Sequence, residues 1–334
     1  MGIHPTLEDV AARAGVSRAL VSIVIRGVPG ASTATREHVL RVAEELGYRP
    51  DSRARLLAGR RSRLLGVTLS LNHPFHADLA ESIYSTAEQL GYEVVLSAVT
   101  AQRDPRLAID TLLDYRCEAA ILIGTLVREP WLSVLGERLP VVVLGQPTRS
   151  QAVDVIRTSD AAGIRLAVDH LIGLGHRAIA HVDGGRGPGA AARRNAYRAA
   201  MRHHGGLPRV VPGGQSEEDG ATAGKSLADA PPTAVLTYND RCAVGLLDVF
   251  VRAGIAVPQD VSVVGYDDSQ VARLPYLRLT TVSQDAGHLA ALAVRRAVAR
   301  LEAQPVAERE SVLMPHLTVR GTTAPPRQSL SAET

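Results

Sequence analysis

The chain has 334 residues, 46% of them hydrophobic, with a formal charge of +3 and only two cysteines, so it is long enough for two or three domains around large cores. No run of eighteen apolar residues is present to span a membrane, and MGIHPTLEDV has neither the basic region nor the apolar stretch of a secretory signal, so a cytoplasmic protein is expected. Cys117 and Cys242 lie far apart without paired-ligand spacing, which excludes a disulfide framework or a cysteine metal site.

The charge is unevenly spread. Residues 1–63 hold eleven arginines against six acids, a net +5, so of the +3 overall the remaining residues carry −2. A basic head on a slightly acidic body favours a polyanionic partner at that end, with a nucleic-acid backbone the first candidate.

In chain order, Thr6 is placed to cap a first helix, with Asp9 in the capping-box position and Leu7, Val10, Ala11 and Ala14 on one face. Gly15 ends it, and Ser17 caps a second helix whose Val21, Val24 and Ile25 pack back on the first. Ser32 or Thr33 opens a third, with Val39, Val42, Ala43 and Leu46 on its apolar face and Gly47 at its end. Three short helices with a tight glycine turn form a helix-turn-helix unit. On the second helix Arg18, Ser22 and Arg26 align at i, i+4 and i+8, with Ala19 and Ile23 beside them. An outward isoleucine among arginines suits a surface that meets base edges, where it touches a thymine methyl while arginine reaches guanine or phosphate.

Next comes YRPDSRARLLAGRRSR, residues 48–63. Pro50 and Gly59 bracket a helix of about eight residues capped by Asp51, too short to persist alone in water. Arg53, Arg55, Arg60, Arg61 and Arg63 supply phosphate contacts, and Leu56 and Leu57 have no obvious core to fill.

From Leu64 onward apolar runs alternate with helical stretches. LLGVTLSL, YEVVLSAV, AAILIG and PVVVLG form one set of candidate strands, and AIAHVDG, TAVLTY and VSVVGYD a second, with helices between them closed by Gly91, Gly175 and Gly254. This pattern predicts two α/β subdomains, each a doubly wound parallel sheet. Open parallel sheets bind ligands beyond the carboxyl ends of their strands, which nominates Asn239 and Asp267, although a lone residue there is as readily a helix cap.

The stretches TLEDVAARAGVS, TREHVLRVAEELGYRP and ARLLA, followed in order by PFHADL, LGHRAIAHV, RRNAY, YNDRCAVG, SVVGYDDS, LTTVSQD and LTVRGTT, together resemble the lactose/galactose repressor (LacI/GalR) family of bacterial transcription regulators across nearly the whole chain. The resemblance implies that the second helix enters the major groove, with base readout from Arg18, Ala19 and Ile23 and backbone contacts from Thr6, Ser17, Ser22 and Arg36. It also implies a minor-groove hinge helix in which Leu57, beside Ala54, wedges into a base step. For the rest it implies an all-α helix-turn-helix domain over 1–49, a hinge over 50–63, and a periplasmic-binding-protein-like clamp over 64–322. Lobe 1 then takes 64–159 and 286–316, lobe 2 takes 160–284 and 317–322, and 323–334 form a disordered tail. The effector would be held by Asp267, Asn239 and Arg193 and covered by Phe75 and His76. Leu20 and Ile23 depart from the family pattern at the reading helix, as do Gly145 and Ser159 at the pocket, so neither operator nor effector carries over from a relative.

GGRGPG at 184–189 has the wrong glycine spacing for a dinucleotide loop, and no nucleophile elbow, P-loop or histidine metal spacing is present. A solute-binding protein or a small-molecule enzyme on the same scaffold is the alternative. The expected protein is a homodimeric regulator, a repressor, with double-stranded operator DNA and a small-molecule effector as partners, and with no cofactor, metal or membrane. The tail has no leucine heptads to build a coiled-coil tetramer, though a tetramer of another kind stays open.

Overall fold

The computed structural model describes residues 5–25, 27–48, 61–124, 127–306 and 308–327. They form two compact units, Met1–Ser62 and Arg63–Thr334.

The first unit holds α1 (Leu7–Ala14), α2 (Arg18–Ile25) and α3 (Thr33–Glu45). Thr6 and Asp9 make the full capping box on α1, and Ser32 rather than Thr33 caps α3. Gly15 takes the left-handed conformation (φ 65°) that lets α2 turn back onto α1. Val10, Val21 and Val39, one from each helix, are fully buried and meet in a single core. At about 1.5–3 kcal/mol per buried valine, that core is what holds three such short helices.

The second unit begins with a sheet built from β1 (Leu64–Ser70), β2 (Glu93–Val99), β3 (Ala119–Ile123), β4 (Val141–Leu144), β5 (Asp154–Thr158) and β11 (Glu310–Leu313). All its pairings are parallel, in the order β11-β5-β4-β3-β1-β2. The helices α4 (Pro74–Gln89), α5 (Pro105–Asp114), α6 (Glu129–Arg138) and α11 (Ala286–Leu301) accompany this lobe 1. Lobe 2 is a second sheet from β6 (Ile179–Val182), β7 (Arg209–Val211), β8 (Ala234–Thr237), β9 (Ser262–Asp267), β10 (Thr280–Ser283) and β12 (His316–Thr318), in the order β12-β10-β9-β8-β6-β7. Only β12 runs antiparallel to its neighbour. Its helices are α7 (Asp160–Gly173), α8 (Ala190–His203), α9 (Glu217–Ala228) and α10 (Asp240–Arg252). A Cβ at Gly245 would overlap the Glu217 carbonyl oxygen and one at Gly220 that of Cys242, so α9 and α10 meet backbone to backbone.

The chain crosses between lobes after β5, after β10 and between β11 and β12. Leu313 pairs with Thr158 in lobe 1 and His316 with Ser283 in lobe 2. The last crossing therefore precedes His316, which the sequence reading had left in lobe 1. The strands β5, β7, β10, β11 and β12 were not among the sequence candidates, and β5 shows why. Its Asp154 is a polar interruption in DVIRT, but it is buried in ion pairs with Arg296 (3.0 Å) and Arg300 (2.8 Å) that tie α11 to the sheet edge.

A second correction concerns the tail. Thr323–Arg327, expected to be disordered, is docked on lobe 2: Ala324 exchanges two hydrogen bonds with Ser262 (3.0 Å each), and its carbonyl lies 2.8 Å from His176 Nε2. Thr323 bonds His170 (3.1 Å), and Arg327 pairs with Asp260. Backbone groups that a polar, proline-containing composition leaves unassigned are paired here by lobe 2.

Candidate functional site

Two surfaces hold the candidate residues. On α2 the Ser17 hydroxyl accepts the Leu20 N–H (3.2 Å), leaving its own proton to donate. Val21 and Val24 are buried, whereas Arg18 and Ala19 are exposed and Ser22 and Ile23 half-buried, so the helix turns its arginine–isoleucine side away from the core. Arg18 leans on Glu8 (3.2 Å) with both side chains largely in solvent, a weak pair that a guanine edge or phosphate can displace. Two residues expected to contact the DNA backbone also make bonds within this unit. The Thr6 hydroxyl donates to Asp9 Oδ2 (2.7 Å) and accepts the Asp9 N–H, so it has no proton left for a phosphate. Arg36 holds the carbonyls of Val24 (3.2 Å) and Val28 (2.9 Å) and so fixes the end of α2. Arg26, Ala54, Arg55 and Leu57 lie outside the described residues.

Between the two lobes is a cavity of about 280 Å³, lined where strands end: Ser70 at the end of β1, Gly124 after β3, Gly145 after β4, Tyr238 after β8, Asp267 at the end of β9 and Gln284 after β10. Of the five predicted effector residues, Phe75, His76, Arg193 and Asp267 line it together. Asn239 does not. Its Oδ1 caps α10 by accepting the Cys242 N–H (2.9 Å), and its Nδ2 donates to the Gln215 carbonyl (3.1 Å), so both side-chain polar atoms are used in holding the loop around the site. Ser159 is likewise a cap, on α7.

Arg193 is 6% exposed, its Nε on Asp160 (2.8 Å) and its Nη1 on the Tyr238 carbonyl (2.7 Å), with the guanidinium 3.6 Å from the centre of the Tyr266 ring. Burial works against its charge, but Asp160, Tyr266, Tyr238 and Asp267 together more than offset this and the pKa is raised above the ordinary arginine value. Asp267 accepts from Gln284 Nε2 (2.7 Å), and Gln284 Oε1 accepts the Thr158 hydroxyl (2.5 Å). Burial pushes Asp267 up to about 8 despite the pull of Arg193, so near neutral pH it is mostly a protonated acid. Across the cavity His73 and His76 stack at 4.3 Å. Burial first, then Arg241 and Arg193, brings His73 down to about 4, and burial first, then His73 beside it, lowers His76 well below the ordinary range. Neutral His76 accepts the Ser70 N–H at Nδ1 (3.1 Å), which puts its proton on Nε2 as a donor.

Residues 6–51 match the model for "Bacterial regulatory proteins, lacI family", and residues 168–323 that for a "Periplasmic binding protein-like domain". The HTH-type transcriptional regulator DegA of Bacillus subtilis is 30% identical over 96% of this chain and 98% of its own. The ribose operon repressor of Escherichia coli is 31% identical over 95% and 99%. The chain belongs to the lacI family. Among solved structures, a LacI transcriptional regulator from a Rhodococcus species is 48% identical (TM-score 0.75, covering 78% of this chain and 98% of that one). The lac repressor dimer bound to operator and the anti-inducer ONPF is 29% identical (TM-score 0.83, covering 96% and 100%). This lacI-family chain is therefore a DNA-binding transcriptional regulator with a periplasmic-binding-protein-like effector body, and not an enzyme. No helix among the described residues is long and apolar enough to cross a membrane.

Sequence reasoning missed His73, Tyr238, Arg241 and Gln284, all on the cavity wall. Each adjoins a quoted motif: His73 precedes PFHADL, Tyr238 and Arg241 flank the Asn-Asp of YNDRCAVG, and Gln284 lies in LTTVSQD. The signal was present; what was absent was the way the loop after β8 turns Asn239 inward as a cap and leaves its neighbours facing the cavity.

Proposed function

We propose that this lacI-family regulator is a cytoplasmic homodimeric repressor that reads operator DNA with α2 and is switched by one small polar metabolite in the interlobe cavity. The observation that carries the switch is the hydrogen-bonded chain Thr158–Gln284–Asp267. Thr158 ends β5 and Gln284 follows β10, the two segments where the chain first leaves and later re-enters lobe 1, so a ligand touching Asp267 acts on the points about which the lobes move. Closure repositions the start of β1, where the reading head joins, and the two heads of a dimer then do or do not fit two half-sites. Such coupling is a difference in ligand affinity between two states, typically about 1–3 kcal/mol. A cavity of about 280 Å³ sits at the small end for ligand sites and favours a molecule of monosaccharide size.

The readout of α2 supports half-sites in which Ile23 meets thymine methyl groups. Selecting bound sequences from a random DNA pool tests this: A·T pairs beneath Ile23 are expected, and G·C pairs there would overturn it. Gel retardation with bacterial promoter fragments, with and without metabolite extract, tests the whole reading. Sequence-preferring binding that the extract alters is expected; no preference under either condition would overturn it. Affinity should also drop with salt, with about 0.9 added to the log–log slope per neutralised phosphate.

A further inference from the structure

The charges around the cavity are arranged with their signs separated. Two guanidinium groups, Arg193 and Arg241, are on the wall, and the carboxylates paired with them, Asp160 and Glu217, are not. Glu217 binds Arg241 through Nε (2.8 Å) and Nη2 from the solvent side, being 46% exposed where Arg241 is 17% exposed. Asp160 lies behind Arg193, against Gly189 and Tyr266. Among the described residues the one carboxyl group on the wall, Asp267, has an oxygen engaged by Gln284.

The remaining wall groups are donors or neutral. His76 Nε2 carries its proton beside Gly124, where a Cβ would come within 2.9 Å of it; glycine leaves that edge uncovered. The first turns of α4 and α8 also line the cavity, through Phe75 and His76 and through Arg193, and neither helix has a side-chain cap to neutralise its N-terminal amides.

We propose that the effector is a small polar metabolite bearing an oxyanion, a phosphate ester or a carboxylate, gripped by Arg241 and Arg193 of lobe 2 and by His76 Nε2–H of lobe 1. This rests on the cleft being the effector site and adds the charge class of the ligand. A guanidinium whose outer edge is already fixed by a carboxylate presents its inner N–H groups pre-oriented, and an oxyanion satisfies them with charge-assisted hydrogen bonds that a neutral hydroxyl makes more weakly. A bound anion also holds the proton on Asp267, so that group becomes a donor rather than a source of repulsion. Lobe closure over such a ligand brings His76 to the oxyanion from the opposite side, which makes the anion itself the element that joins the lobes.

The test is calorimetry and thermal shift at fixed ionic strength on the full chain, with matched probes: ribose against ribose 5-phosphate, and glucose against glucose 6-phosphate and glucuronate. Inorganic phosphate serves as the control for anions at the basic N-terminal unit. At least a tenfold preference for an anionic member over its neutral parent is expected, lost in Arg241→Met, kept in Arg241→Lys, and absent for phosphate alone. Whether the ester or the uronate gives the preference identifies the source of the oxyanion. Equal affinity for neutral and anionic members, a preference that survives Arg241→Met, or no anionic member binding would each overturn the proposal. Neutral binding that is lost in Asp267→Ala would leave the cleft as the effector site and remove only its anionic character; anionic binding indifferent to both substitutions would remove both.

Discussion

The two lobes contribute unlike halves to one cavity. Lobe 2 brings a network already assembled: Arg193 locked between Asp160, the Tyr238 carbonyl and the Tyr266 ring, and Arg241 locked on Glu217. Lobe 1 brings Phe75, Leu79 and Leu144 with two neutral histidines, one of whose buried nitrogens, His73 Nδ1, has no hydrogen-bond partner among the described residues. Specific, pre-oriented polar groups cost little to reorganise on binding, whereas an apolar face with a few adaptable donors can arrive later. The difference teaches that recognition is concentrated in lobe 2 and closure in lobe 1.

Substitutions can break that division. The largest effect is expected from Arg193→Met, which leaves the Asp160 carboxylate buried without its partner. Urea unfolding should show a loss of about 3–5 kcal/mol, and a loss below about 1 kcal/mol would mean that the lobe 2 network is not pre-assembled. Asp267→Asn comes next and shows itself in pH dependence. Native Asp267 keeps its proton up to about 8 while the unfolded chain releases it near 3.8, so stability falls as pH rises between those values, by up to about 1.4 kcal/mol per pH unit. His73 has the opposite sign: lowered from 6.5 to about 4, it takes stability away as pH falls through that window. Between pH 6.5 and 8 only the Asp267 slope remains of these two, and Asp267→Asn should flatten it in denaturant titrations at half-unit pH steps.

Smaller effects sharpen the contrast. Thr6→Ala removes the side-chain half of the α1 capping box, leaving the backbone N–H of residue 6 on Asp9, and should cost the reading head about 1 kcal/mol, seen as faster amide exchange in α1 with the body unaffected. His73→Leu in lobe 1 removes an unpaired buried nitrogen and should change unfolding free energy by less than about 1 kcal/mol while flattening the acid-side slope; a loss as large as that of Arg193→Met would erase the distinction between the lobes.

How much was legible followed from what the physics writes locally. Strands that are apolar on both faces, such as β3 and β4, are visible in sequence because burial on two sides leaves no polar position. DVIRT was hidden because Asp154 belongs to an ion-pair network completed by arginines far along the chain. The same holds at the site. Arg193 and Asp267 were legible through motif and strand end, but Arg241 faces the cavity only because Gly220 and Gly245 bring α9 against α10 and set Glu217 beside it. Asn239 stands beside the cavity wall as the cap of α10, since a strand-end asparagine one residue before a helix serves the helix first.

The late return of the chain to lobe 1 has a consequence for synthesis. Strand β11 and helix α11 cover β5 and the buried face of the first sheet, yet both are made only after lobe 2 has been almost entirely translated. On a ribosome the helix-turn-helix head emerges ahead of the body, while lobe 1 waits with an uncovered apolar face until α11 and β11 have been made. A message cut short before that point would release a nascent product with a finished head on a body that cannot close, exposed to aggregation and proteolysis, so the order of translation itself keeps incomplete copies from persisting.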